Sequence, residues 1–109
     1  PEKAIAAEIV REKMLWLLDK EVPHGIAIEI TRMKEKNKIT EIHATIYCER
    51  KSHKGIIIGK NGEMLKKTGT LARQDIEKML DKKVYLELWV KLKEDWRNKE
   101  AFMNTIGFE

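Results

Sequence analysis

Three isoleucines, Ile56-Ile57-Ile58, run directly into Gly59-Lys60-Asn61-Gly62, and a long helical pattern starts at once behind them. This junction constrains the chain more than any other feature. Glycine permits backbone angles closed to other residues and removes the Cβ that would keep a ligand away from the main chain. The first N–H groups of a helix have no acceptor within it and carry a partial positive charge, which suits a phosphate. The expectation is an open, cationic turn able to seat a phosphate-bearing backbone.

Charge is concentrated around that turn. The chain of 109 residues has a net charge of only +4, but residues 50–67 hold Arg50, Lys51, Lys54, Lys60, Lys66 and Lys67 against the single Glu63. The rest of the chain is therefore close to neutral. A clustered field holds a polyanion better than the same charge spread evenly.

The flanking sequence divides into alternating periods. Residues 2–21 carry Ala6, Val10, Met14 and Leu17 at helical spacing, with Ile9 and Leu18 widening the stripe, and Val22-Pro23-His24-Gly25 closes the helix. Ile26, Ile28 and Ile30 alternate with Ala27, Glu29 and Thr31 as in a strand. A polar link, residues 34–38, leads to a second strand with Ile42, Ala44, Ile46 and Cys48 on one side and Glu41, His43, Thr45 and Tyr47 on the other. The two form an antiparallel hairpin.

Residues 52–58 are ambiguous, too short and too branched for a clear helix, and allow a single helical turn leading into Gly59. Residues 61–80 then form a clear helix whose inner stripe is Leu65, Gly69, Ala72, Ile76 and Met79. Gly69 on that stripe suggests close packing against a sheet. Val84, Leu86, Leu88, Val90 and Leu92 make a third strand. A last helix is expected, with Asp95 as its N-cap, Trp96 as its anchor, Phe102, Met103 and Ile106 inward, and Gly107-Phe108 as its ending.

A helix between the second and third strands permits parallel pairing. The expected fold is α+β, ordered α-β-β-α-α-β-α, with a three-stranded mixed sheet and helices on one face. One domain spans 1–109. The chain starts at Pro1 rather than at methionine, inside what reads as a helix start, so it is expected to be a piece of a longer protein.

Several function classes are set aside. One cysteine, Cys48, rules out an internal disulfide and reads as a small core residue. His24, His43 and His53 lack neighbours at ligand spacing, so no metal site is expected, and Ser52 lacks a nucleophile-elbow context. No apolar run approaches a membrane span and no signal-peptide pattern is present, which gives the expectation of a soluble, cytoplasmic protein. Residues 55–61 superficially resemble a phosphate-binding P-loop. That motif needs four residues between its glycines and Ser or Thr after the lysine, whereas this chain has three and then asparagine. No nucleotide hydrolysis and no cofactor are expected.

The turn resembles the GXXG loop of the K-homology domain, a small module that clamps a few nucleotides of single-stranded nucleic acid. The aliphatic residue ahead of it, the helix behind it, and the leading helix and strand at 2–21 and 26–35 resemble the type II arrangement. Glu8-Ile9-Val10-Arg11-Glu12-Lys13, Glu49-Arg50, Gly55-Ile56-Ile57-Ile58-Gly59-Lys60, Ala72-Arg73 and Asp95-Trp96-Arg97 further resemble, in order and spacing, the C-terminal domain of a family of GTPases that assist small ribosomal-subunit assembly. One departure is Asn61, where these proteins often carry glycine; asparagine tolerates a left-handed backbone.

The resemblance implies single-stranded RNA as partner, namely the 3′ end of small-subunit ribosomal RNA and with it the small ribosomal subunit, with an N-terminal GTPase domain absent. The implied RNA-binding residues are Lys54, Gly55, Ile57, Ile58, Gly59, Lys60, Asn61, Gly62, Leu65 and Lys66. Of the isoleucine pair, Ile57 and Ile58, one is expected in the core and Ile58 nearer the groove. Lys67 extends the phosphate track. Arg73 reads first as a salt-bridge partner. Tyr85 and Trp89 share a strand face and are expected to be covered rather than to stack on bases. The rival reading is a regulatory domain that docks on a GTPase domain or on ribosomal proteins.

Overall fold

The computed structural model describes residues 1–18, 25–94 and 99–105. Its elements are α1 (Glu2–Leu18), β1 (Ala27–Lys36), β2 (Ile39–Cys48), α2 (Lys51–Ile58), a 3₁₀ turn (Lys60–Gly62), α3 (Glu63–Leu80), β3 (Lys83–Leu92) and α4 (Glu100–Thr105). The order is the expected one. The expectations for the end of the first helix at residues 22–24, the N-cap Asp95, the anchor Trp96, Ile106 and the Gly107-Phe108 ending lie outside the described residues.

The sheet has the order β1-β2-β3. β1 pairs with β2 antiparallel, Ile28 facing Ile46, and β2 pairs with β3 parallel, Ile42 facing Leu86. The central strand is the most apolar in phase, and Ile42, Ala44, Ile46 and Cys48 are all fully buried. Against them pack Ala6, Val10, Met14 and Leu18 of α1, Ile57 of α2, and Thr68, Ala72 and Ile76 of α3. Thus α1, α2 and α3 cover one face. Phe102 of α4 stands edge-on to Tyr47 with ring centroids 4.7 Å apart, on the side of β2 opposite the core.

Four local details differ from the sequence reading. The five-residue polar link shrinks to Asn37 and Lys38, both at positive φ, because the charged residues before them extend β1 to Lys36. A two-residue turn with both positions left-handed matches the twist of the strands it joins. The helical turn before Gly59 is a full α2 of 8 residues. In α1 the buried residue is Leu18, with Leu17 at the margin. In α3 the buried line is Thr68, Ala72 and Ile76, and Leu65 and Gly69 sit to its side. Thr68 escapes a hydrophobic pattern because its hydroxyl is satisfied locally, donating to the Met64 carbonyl at 3.0 Å.

Polar links fix the layers. Arg11 donates from Nη1 to the Ile26 carbonyl at 2.6 Å, tying α1 to the entrance of β1. Lys13 Nζ meets Asp75 Oδ2 at 2.7 Å, tying α1 to α3. Two cations of the first motif therefore act as braces between elements.

Candidate nucleic-acid interface

α2 ends where Gly59 donates its N–H to the Gly55 carbonyl at 2.8 Å. Gly59 has φ 76° and ψ 175°, a region open essentially to glycine. Asn61 (φ 56°, ψ 24°) and Gly62 (φ 74°, ψ 9°) follow in the left-handed region. Asparagine therefore keeps the loop geometry, as expected of the one departure from the family pattern. The 3₁₀ turn opens with Gly62 N–H bonding the Gly59 carbonyl at 3.1 Å. The amides of Lys60 and Asn61 precede that first bond, and both side chains are exposed.

The two glycines serve different ends. A Cβ on Gly59 would lie 2.6 Å from the Cβ of Met64, so the space is taken by the first turn of α3. Gly59 is required by the chain itself. A Cβ on Gly62 would meet nothing within 4 Å. There the backbone faces open space.

Gly62 also begins a groove. It, Leu65, Lys66, Gly69, Thr70 and Arg73 form the helical wall of a cleft of about 430 Å³, and residues 85–88 of β3 form the other wall. Among the described residues β3 pairs with β2 alone, so its other edge, beside the cleft, keeps backbone donors and acceptors without strand partners there. Leu65 and Leu88 supply apolar surface, Lys66 charge, and Gly69 a low floor, where an added Cβ would lie 3.5 Å from Leu88 Cδ1. Flat bases and a charged backbone need this combination of surfaces.

Of the expected site residues, Gly62, Leu65 and Lys66 line the groove, and Gly59, Lys60 and Asn61 form the turn at its mouth. Gly55 is exposed and Ile58 half-buried on α2. Lys54 is half-buried on the same helix and close enough to Cys48 for its charge to act on the thiol. Ile57 requires correction: it is 1% exposed and part of the core, so its side chain cannot meet RNA. Lys67 does not follow the groove either. It lines a separate cleft beside Leu17 and Leu71, between α1 and α3.

The β3 wall is what sequence reasoning missed. Arg73 does make its salt bridge, 3.0 Å to Glu77, yet it lines the groove as well. Tyr85 and Trp89, expected to be covered, are 52% and 54% exposed. The outward phase of both was visible in the alternation of β3; that β3 is the edge strand beside the turn was not.

Other reactive groups are quiet. Burial pushes the Cys48 thiol up from its ordinary value, with the Lys54 charge opposing, so it remains a protonated core group. Among the described residues no cluster of His, Cys, Asp or Glu could hold a metal, and no helix is long and apolar enough to cross a membrane.

A left-handed GXXG turn between two helices, open onto a groove walled by a helix and an edge strand, defines the class. The family model described as KH domain matches residues 21–97, and the chain belongs to that family. Its relatives are particular. It is 60% identical over 111 residues to the GTPase Era of Alkaliphilus metalliredigens and 58% identical over 110 residues to that of Ruminiclostridium cellulolyticum. Each match takes in 100% of this chain but only 38% and 37% of the relative. Two solved structures superpose with a TM-score of 0.91 at 43% identity over 98% of this chain and 36% of theirs. One is Aquifex aeolicus Era bound to GDP.AlF4-, and the other is Era in complex with MgGDPNP and nucleotides 1506–1542 of 16S ribosomal RNA.

Proposed function

We propose that this chain is the RNA-binding unit of a longer GTPase of the Era type, acting in the cytoplasm in assembly of the small ribosomal subunit. It takes a short single-stranded RNA, the 3′ end of small-subunit ribosomal RNA. A phosphate sits over residues 59–62 against the Lys60 and Asn61 amides. Lys60 and Lys66 neutralise backbone charge, and bases lie in the groove between α3 and β3, meeting Leu65, Gly69 and the free edge of β3. The chain performs no catalysis of its own. It offers no P-loop sequence, and its turn holds a backbone without reacting with it.

The observation that carries this reading is the continuity of the turn with the groove through Gly62, whose missing Cβ leaves open space where a sugar–phosphate chain must pass. Phosphate contacts position a strand and base contacts select it. The turn supplies the first and the groove the second.

The double variant Lys60→Asp, Asn61→Asp tests it. Both positions are exposed and aspartate tolerates a left-handed backbone, so the fold should survive. Losing one charged contact and adding two negative charges should weaken binding of a single-stranded RNA about a hundredfold or more. In the wild type, affinity should fall with salt at a slope of about 0.7 for each neutralised phosphate. Unchanged RNA affinity in the variant, or salt-insensitive binding to a protein partner instead, would favour the rival docking role.

A further inference from the structure

The helical layer carries a projection and a recess side by side. On α1, Ile5, Ile9, Glu12 and Trp16 recur at intervals of three and four and so share one side of the helix. Trp16 is 70% exposed and Ile5 45%, although α1 buries its opposite side in the core. Lys13 steadies the indole: its Nζ lies 5.2 Å from the ring centroid and 2.7 Å from Asp75. The recess is the cleft of about 450 Å³ between α1 and α3, mostly apolar, which Leu17 and Leu71 line together with Lys66 and Lys67. Trp16 adjoins Leu17 in sequence but does not line this cleft. We infer that this face pairs two copies of the chain about a two-fold axis. Each copy seats its Trp16 in the other's cleft, with Glu12 against Lys67.

Shape and charge both select a second copy as the occupant. A contact between identical chains about a two-fold axis needs one patch that is complementary to itself. Here the knob and the hole are neighbours on one face, so each copy can give one and take the other. Charge is divided in the same way. Exposed Glu8 and Glu12 lie on or beside the projecting side of α1, whereas exposed Lys66 and Lys67 outnumber Glu63 at the cleft. Among the described residues neither Glu8 nor Lys67 has an ion-pair partner in its own chain, which leaves both charges available to a neighbour. An acidic shoulder beside an apolar knob therefore meets a basic rim around an apolar hole, twice in each dimer. A nucleic acid suits this face less well, because the cleft is mostly apolar and carries Glu63. A tryptophan entering an apolar recess supplies the kind of anchor on which most of an interface's strength rests. Only Lys66 and Thr70 line both this cleft and the groove beside β3.

Sedimentation equilibrium of the intact chain over a series of concentrations tests the pairing. A reversible monomer–dimer equilibrium with a Kd of about 100 μM or tighter is expected. Trp16→Ala removes the anchor and should weaken association about tenfold or more, while the melting temperature of dilute protein stays unchanged because the ring is exposed. Glu12→Lys and Lys67→Glu should each weaken it about tenfold, since like charges then face each other at both contacts. Mixing these two variants in equal amounts should restore association to the wild-type level, because in the mixed dimer both contacts again join opposite charges. A loss of folding in either variant would not be repaired by the other, so the recovery separates pairing from damage. A chain that stays monomeric up to about 1 mM overturns the inference and leaves the face to a different protein. A dimer indifferent to Trp16→Ala, or a mixture that associates no better than either variant alone, overturns it as well.

Discussion

At the scale of single residues, three glycines along the proposed RNA path predict three different outcomes. Gly59 combines a backbone region closed to side chains with a Cβ position already filled by Met64. Gly59→Ala should cost more than about 3 kcal/mol, the sum of backbone strain and a clash that only a shift of α3 could relieve. Gly62→Ala meets no atom and suffers only the left-handed backbone, at about 1–2 kcal/mol, but it puts a methyl group in the path of the RNA. Gly69→Ala should raise stability by up to about 1 kcal/mol, since its Cβ would be at ordinary contact distance from Leu88 in a helix interior. It should nonetheless weaken RNA binding by raising the groove floor. Chemical denaturation and oligonucleotide titration on all three variants check the pattern. A Gly69→Ala protein that binds RNA as well as the wild type would remove that residue from the site. The sequence made glycine's presence plain at all three positions, but only the coordinates separate the glycine whose Cβ space is filled from the one that faces open space.

Elements are held in place by a few carboxylates, and one gives a pH signature. Glu77 bridges the end of α3 to the start of β3 by accepting the Val84 N–H, across the turn that carries Asp81 in the left-handed region. That hydrogen bond, with the Arg73 charge and opposed by desolvation, holds the Glu77 carboxyl below its ordinary 4.5. A carboxylate whose folded value is depressed contributes stability fully present above the unfolded value and lost as pH falls through the folded one. The melting temperature of the wild type should therefore exceed that of Glu77→Gln above pH 4.5, and the difference should close on further acidification. A difference that widens in acid would contradict this role. Element order, strand phases and the hairpin were all legible in the sequence, because period alone reveals which side of a strand is apolar. The length of β1 was not. Its outer half, residues 31–36, is mostly charged, and only pairing with β2 makes it a strand. The salt bridge of Arg73 was likewise readable from its spacing to Glu77, while its place in the groove depended on which strand lay opposite α3.

On the scale of the whole molecule, the site is a product of strand order. Parallel pairing of β3 beside β2 leaves β3 at the edge, and α3, which connects the two strands, lies alongside that edge with the GXXG turn at its N-terminal end. Turn, helix and edge strand thus make one continuous path, and the cations of residues 50–67 gather near its start rather than along its length. Arg73, Lys82 and Lys83, which lie outside that stretch of the sequence, come to one rim through the α3–β3 turn. The charge concentration around the glycines therefore marked the turn and not the groove that leads away from it.

Amide chemical-shift mapping with a short single-stranded RNA tests the central claim most directly. The account predicts that the perturbed signals fall on residues 59–62, on Leu65, Lys66, Gly69 and Arg73 of α3, and on residues 85–88 of β3. Perturbations confined to α1 or to the outer face of the sheet, with Lys60 and Asn61 unmoved, would contradict it.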